Sequence, residues 1–264
     1  MIQLRHLAID ARGGGFPFDI PALIGLDLEI ERPVTFLVGE NGSGKSTLLE
    51  SLALAARVVG VGTHALDRDP TLASVRPLAA ALRLTWNRRT HRGFFMRAED
   101  FFGFVRRVKR EVAEFEREAA RLEAENRDMA PADLGRMLGA HRGSARALEA
   151  RYGDDMDARS HGEQFLAFFQ ARVVPEGLYL LDEPEVALSP TSQLAFLSFL
   201  MESVRERGCQ FVIATHSPML MALPGATLLG FDGGPARELP YEEVEHVNLT
   251  RDFLAHPQRF LRHL

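Results

Sequence analysis

One cysteine in 264 residues excludes an intrachain disulfide and a cysteine metal cluster. That residue, Cys209, stands just before the apolar run Phe211-Val212-Ile213-Ala214 and reads as a packing residue. No apolar run approaches the roughly 18 to 20 residues that span a bilayer. The N-terminal MIQLRHLAID carries charge where a signal peptide needs an apolar stretch. These absences point to a cytoplasmic protein without an integral membrane segment. Lysine is almost missing too, with Lys45 and Lys109 standing against 29 arginines, as if lysine were kept where a compact ammonium matters. A formal net charge of -5 argues against a chain coated in nucleic acid, although a local basic face can act beneath an acidic total. There is no internal repeat or low-complexity tract. What is present, 46% hydrophobic and 25% charged residues, is enough for the core of one α/β domain, alone or with an inserted lobe.

Along the chain, short strands are expected at Ile2 to Ile9, at Leu26 to Ile30, where Leu26, Leu28 and Ile30 alternate with acids, and at Val34 to Val38. Gly39 to Gly44 then gives way to a helix running from Lys45 to Ala55. The middle is dense in Glu, Arg and Ala. Val108, Val112, Phe115, Ala119 and Leu122 form a short heptad stripe within Arg106 to Met129. After Pro131 the helical spacing resumes through Leu134, Leu138, His141, Ala145, Leu148 and Tyr152, predicting an inserted antiparallel helical pair. It is read either as a solvated two-helix lobe or as a partner-binding arm. The α/β pattern returns with apolar runs at Gly177 to Asp182 and Gln210 to Thr215, read as buried parallel strands, joined by a crossover helix over Ser192 to Glu206. The divisions expected are 1–98 for the N-terminal half, 99–158 for the inserted lobe and 159–264 for the remainder.

Gly39-Glu40-Asn41-Gly42-Ser43-Gly44-Lys45-Ser46 has two glycines four residues apart before Lys and Ser, between an apolar strand and a helix. Such a loop lets backbone N–H groups converge on a polyphosphate at a helix N-terminus, with Lys45 reaching the β/γ oxygens and the Ser46 hydroxyl on Mg²⁺. Thr47 continues the segment. Leu178 to Asp182 ends an apolar run in an acid, making Asp182 a Mg²⁺ candidate, and Glu183, one residue on, would orient and deprotonate an attacking water, although a strand ending in Asp-Glu is common by itself. His216, in Thr215-His216-Ser217-Pro218, closes the next strand and reads either as a γ-phosphate contact or as a packed residue. Ser160-His161-Gly162-Glu163-Gln164 alone would pass for a capping box, Ser160 as cap and Glu163 three residues on.

Taken in order, GENGSGKS, SHGEQ, LYLLDEPE, Ala187-Leu188-Ser189-Pro190 and ATHSP resemble the motif series of ABC-type ATPases. The resemblance implies an α/β P-loop NTPase head with an N-terminal antiparallel β layer, a mostly parallel core sheet and an inserted helical lobe. It implies ATP and Mg²⁺ as ligands and a homodimer formed on ATP binding. Residues 39–47 would then hold the phosphates, Ser46 and Asp182 the metal, and Lys45, Glu183 and His216 the reacting γ-phosphate. Ser160 and Gly162 of one subunit, with Glu163 beside them, would close over the nucleotide of the other. Within the superfamily the chain looks similar to small soluble ATPases of the SMC-like branch, often labelled AAA-like. That likeness extends to Phe16-Pro17-Phe18, Ile20-Pro21, Gly93 to Glu99, Thr250 to Leu254 and Arg259-Phe260-Leu261.

Two departures stand out. SHGEQ replaces the LSGGQ usual in transporters, and no clear glutamine loop precedes the insert. Glu99 either takes the metal- and water-linked role of that loop or caps the following helix. Residues 88–110 interleave arginines with Phe94, Phe95, Phe101, Phe102 and Phe104, a composition that fits either a lobe junction with a solvated rim or nucleic-acid contacts. The expected function is ATP hydrolysis coupled to action on DNA, another nucleic acid or a partner protein, in repair, genome maintenance or phage defence. Its alternatives are the motor subunit of a transporter and an ATP-controlled dimerisation switch with little turnover.

Overall fold

The computed structural model describes residues 2–10, 14–62, 64–152 and 160–262. It divides into two compact units, residues 1–98 with 173–264, and residues 99–172. In the first unit β1 (Leu4–Ile9) pairs antiparallel with β2 (Asp27–Glu29), His6 opposite Glu29. A register shift between Leu4 and His6 turns both Leu4 and Leu7 inward despite their odd spacing, as a bulge does. β3 (Val34–Val38) is buried at all five positions, the pattern of a parallel strand covered on both faces. It feeds α1 (Lys45–Ala56), whose Leu48, Leu49, Leu52 and Ala53 join the core. Each of those leucines contributes roughly 1.5 to 3 kcal/mol by leaving water.

The chain continues through β4 (Val59–Gly60), α2 (Arg76–Ala81), β5 (Leu82–Trp86) and β6 (Gly93–Arg97). β5 returns to pair with β1, completing a three-stranded antiparallel layer. The sequence pattern marks neither β5 nor β6 as a strand. Arginines flank both, and in β6 they mask Phe94, Phe95 and Met96, all buried.

The second unit is helical. α3 (Ala98–Glu125) begins earlier than the heptad stripe and buries Phe101, Phe104, Val108, Val112 and Ala119. The chain turns back through residues 126–130 into α4 (Pro131–Tyr152), where Leu138 and Ala145 are buried and His141 meets Phe115. The expected packing of Tyr152 and the expected end of the lobe at 153–158 lie outside the described residues. α5 (His161–Arg172) belongs to this unit, not to the half beginning at 159. Phe165 and Phe168 lie edge-on to Phe101 with centroids 5.0 and 6.0 Å apart, and Phe168 meets Phe104 at 4.9 Å. Arg172 lies over Phe104. Such aromatic pairs add about 0.5 to 1.5 kcal/mol each beyond area burial, and they tie α5 to α3.

Returning to the first unit, β7 (Leu178–Asp182) and β8 (Gln210–Ala214) are each fully buried and parallel. Between them runs α6 (Pro190–Arg207), capped by Ser189 at its start and by Gly208 at its end. α7 (Pro218–Met221), β9 (Thr227–Gly230), β10 (Arg237–Glu238), α8 (Glu245–Ala255) and α9 (Pro257–Leu261) follow. The seven-stranded sheet has the order β10-β9-β3-β8-β7-β6-β4, parallel except where β10 pairs with β9. Gln210 joins the two sheets: its fully buried amide accepts the N–H groups of Gln3 and Leu4 and donates to the carbonyl of Leu4. No helix among the described residues is long and apolar enough to cross a membrane.

Candidate functional site

The register brings four strand ends to one sheet edge. Leu37 lies opposite Ala214, Ala214 opposite Asp182, and Asp182 opposite Arg97. The loops leaving β3, β7 and β8 therefore meet at the carboxyl end of a parallel sheet, where open α/β sheets bind ligands. Gly39 to Gly44 form the first of these loops. Gly39 has φ +147°, and a Cβ there would come within 2.9 Å of the Phe231 carbonyl oxygen; Gly44, at φ +104°, has Ile20 Cγ2 at 2.6 Å from the same position. Glycine at these two points lets the backbone adopt its turn and lets neighbouring chains close in.

Lys45 follows at the first position of α1, only 4% exposed. Its Nζ donates to the carbonyls of Gly39 and Glu40, both at 2.7 Å, which holds the ammonium across the mouth of the loop. Burial pulls its pKa down, while Glu183 and Asp182 pull it up. The Ser46 hydroxyl donates to Asp182 Oδ1 at 3.1 Å, joining residues 136 positions apart. Asp182 is pushed up to about 7, chiefly by burial, with the Ser46 hydrogen bond opposing. A buried carboxylate in this condition is short of positive charge. Among the described residues no group of three or more His, Cys, Asp or Glu side chains could hold a metal ion. A hydroxyl and one carboxylate fit Mg²⁺, which takes few protein oxygens and completes its shell with phosphate and water. The loop also leaves the Ser43 hydroxyl buried without a hydrogen-bond partner. Glu40 and Asn41 are exposed beside it, and Thr47 is half-buried.

Glu183 leaves β7 in the left-handed region, φ +50°, a conformation strained for a side-chain-bearing residue. Its N–H donates to the Ala214 carbonyl. Its Oε1 lies 3.7 Å from His216 Nε2, too far for a hydrogen bond, and that buried nitrogen has no hydrogen-bond partner. The His216 N–H donates to Glu185 Oε1 at 2.6 Å, so the segment after β7 also holds the segment after β8. Burial raises the pKa of Glu185 and lowers that of His216.

The signature segment lies in the helical unit, and its Ser160 and Glu163 bond to each other. Ser160 N–H and its hydroxyl both donate to Glu163 Oε2 at 2.8 Å, and Glu163 N–H returns to Ser160 Oγ at 3.4 Å. This is the capping box expected of the pentapeptide taken alone. Gly162 is buried. Glu99 lies with Asp100 in the first turn of α3, where acids favour a helix N-terminus. The arginine-rich stretch is partly occupied by carboxylates: Arg88 and Arg92 pair with Glu176, and Arg97 with Glu50.

The motifs assign no part in this site to three residues at this edge. Glu185 lies inside the quoted LYLLDEPE run, where its nearness to Asp182 was an available signal. Arg97, paired with Glu50 of α1 at 2.7 Å, stands at the end of β6, opposite Asp182. His246 on α8 belongs to no motif, yet its Nε2 is 3.1 Å from His216 Nδ1 and 3.5 Å from Glu40 Oε1.

A family model described as "AAA domain, putative AbiEii toxin, Type IV TA system" matches residues 34–125 and 164–222, together more than half of the chain. The lipoprotein-releasing system ATP-binding protein LolD of Bordetella pertussis is 32% identical over 228 residues, 84% of this chain and 89% of the relative. LolD of Paramagnetospirillum magneticum is 30% identical over 205 residues, 77% and 84% of the two chains. A structure of cbiO1 from Clostridium perfringens, described as part of the ABC transporter complex cbiONQ, shares 17% identity over 99% of this chain and 100% of its own, with a TM-score of 0.45. The chain belongs to the ABC/AAA-type P-loop ATPases, which bind ATP with Mg²⁺ and hydrolyse it.

Proposed function

We propose that the chain is the ATP-hydrolysing motor subunit of a transport machine, acting as a nucleotide-sandwiched homodimer on the cytoplasmic face of a separately encoded membrane component. The observation that supports hydrolysis most directly is the meeting of Ser46 with Asp182 and of Glu183 with His216 at one sheet edge. Lys45 turns its ammonium from the two loop carbonyls to the β/γ-phosphate oxygens. Ser46 and Asp182 hold Mg²⁺, whose charge offsets that of the phosphates. Glu183 orients a water for attack on the γ-phosphorus and takes its proton as the bond to the ADP oxygen breaks. His216 Nε2 donates to a γ-phosphate oxygen. Ser160 and Gly162 of the second copy, with Glu163, complete the nucleotide site. For Ser160 this means exchanging its bonds to Glu163 for bonds to phosphate.

The transport reading rests on the LolD relatives, named as ATP-binding proteins of a lipoprotein-releasing system. They favour it over action on nucleic acid, which leads when the sequence is read alone. A second reading keeps one observation in its favour: SHGEQ, with His161 and Glu163, departs from the transporter signature and points to the SMC-like branch, acting on nucleic acid.

The test is ATP turnover against protein concentration for wild type and Glu183→Gln, with and without DNA, alongside the mass of each in ATP and Mg²⁺. Turnover rising faster than linearly, lost in Glu183→Gln, with that variant trapped as an ATP-bound dimer, is the expected result. Linear turnover from a monomer indifferent to Glu183 overturns the composite site. Recovery of the chain with a multispanning membrane protein from detergent extracts is expected of the motor reading; turnover stimulated by DNA, without such a partner, replaces it with the second.

A further inference from the structure

We propose that His246 is a positioning residue that fixes the ring tautomer of His216, so that His216 Nε2 carries the proton it donates to the γ-phosphate. The proposal rests on the role given to His216 above. Neutral histidine has one N–H and one lone pair, and which nitrogen holds the proton is set by the partner of the other. His216 Nδ1 and His246 Nε2 are 3.1 Å apart, and the rings meet edge to face at 61° with centroids 5.0 Å apart. One of these two nitrogens must be the donor.

Glu40 decides which. Its Oε1 lies 3.5 Å from the same His246 Nε2, and a carboxylate can only accept. A lone pair on His246 Nε2 would face the carboxylate, whereas an N–H there is attracted by Glu40 and donates to His216 Nδ1. His216 Nδ1 is then an acceptor, and its proton sits on Nε2. That nitrogen is buried, has no hydrogen-bond partner and stands 3.7 Å from Glu183 Oε1, the carboxylate given the attacking water in the proposed mechanism. The opposite tautomer would turn a lone pair towards the phosphate and repel it. Outer partners of this kind orient metal-bound histidines in the same way, and their loss costs about 10- to 100-fold in activity or affinity. The feature was invisible to motif reading because His246 comes from α8, thirty residues beyond His216. Only the packing of α8 against α7, which begins two residues after His216, brings them together.

The experiment measures kcat and KM for His246→Leu, which removes the donor and keeps bulk, and for His246→Gln, which restores an N–H. His216→Ala and the double variant His216→Ala/His246→Leu complete the cycle. The expected result is a kcat about 10- to 100-fold lower in His246→Leu with KM little changed, recovery in His246→Gln, and no further loss when His246→Leu is added to His216→Ala. Ring ¹⁵N NMR of wild type should report His216 protonated on Nε2, and that signature should be lost in His246→Leu. Wild-type turnover in His246→Leu, or equal losses with and without His216, overturns the proposal and leaves the reading of His216 standing. Wild-type turnover in His216→Ala overturns that reading and this proposal together. If His246→Leu does not fold, a ring signature of Nδ1–H in wild-type His216 still overturns it.

Discussion

The sheet edge of the α/β unit and the signature segment of the helical unit both consist of short polar motifs, yet they keep their polar atoms in opposite conditions. At the sheet edge the groups are buried and incompletely used. Ser43 Oγ, Glu185 Oε2 and His216 Nε2 have no hydrogen-bond partner, and Asp182 is held up to about 7. In the signature segment Ser160 and Glu163 answer each other's donors and acceptors at the surface. An unused buried donor costs stability, roughly 1 to 3 kcal/mol, and is tolerated where a ligand will use it. A capping box lowers the free energy of its own helix, and Ser160 must give up its bond to Glu163 before its hydroxyl donates elsewhere. The sheet edge thus keeps buried polar atoms available to a ligand, whereas Ser160 and Glu163 of the signature segment bond to each other.

The sharpest way to break this contrast is Lys45→Ala. Removing the ammonium that bridges the loop should lower turnover by about 10²- to 10³-fold, with ATP affinity measured in parallel by calorimetry. Retained turnover would mean that the prepared edge is not where the phosphates sit. Next in size is Asp182→Asn. The pKa of Asp182 is near 7 in the fold against an ordinary 3.8. Between these values the native state binds a proton that the unfolded chain does not, so metal-free stability falls as pH rises from about 4 to about 7. The variant should lack this slope and be more stable than wild type at pH 8 by on the order of 2 kcal/mol, an advantage that vanishes near pH 4. Urea midpoints across that range check it, and parallel curves for both proteins would remove the preparation argument.

Ser160→Ala probes the other side. It should cost about 1 kcal/mol through the lost cap and, if a second copy uses this hydroxyl, lower turnover as well; a stability loss with unchanged turnover leaves the segment as a helix cap. The smallest effect belongs to Arg88→Ala. Its ion pair with Glu176 is solvent-exposed and should be worth less than about 1 kcal/mol, with turnover unaltered. A large drop in either would show that the arginine-rich stretch does more than line the surface.

Much of the α/β unit could be read from the chain. β3, β7 and β8 are buried at every position and appear as largely apolar runs, and the glycine loop announces itself by the spacing of Gly39 and Gly44 before Lys45 and Ser46. β6 does not stand out in the sequence because Gly93 and Arg97 bracket only three apolar residues, too few to show among neighbouring arginines. The heptad stripe marks the helices after residue 98, and the compact unit they belong to runs on through α5 to Arg172. Period and spacing say that α5 is a helix; they do not say that Phe165 and Phe168 pack on Phe101 and Phe104.

By itself the sequence determined the order of motifs, the α/β class and the helical character of the middle of the chain, because each depends on local geometry or on chemistry carried by neighbouring residues. The tertiary structure decided which distant groups meet. Ser46 and Asp182, Glu185 and the backbone of His216, and His246 with His216 are joined by strand register and helix packing, which a linear pattern does not encode. The pKa shifts of Asp182, Glu185 and His216 follow from the same packing, since burial and the charge of remote neighbours act only after the chain has brought them together.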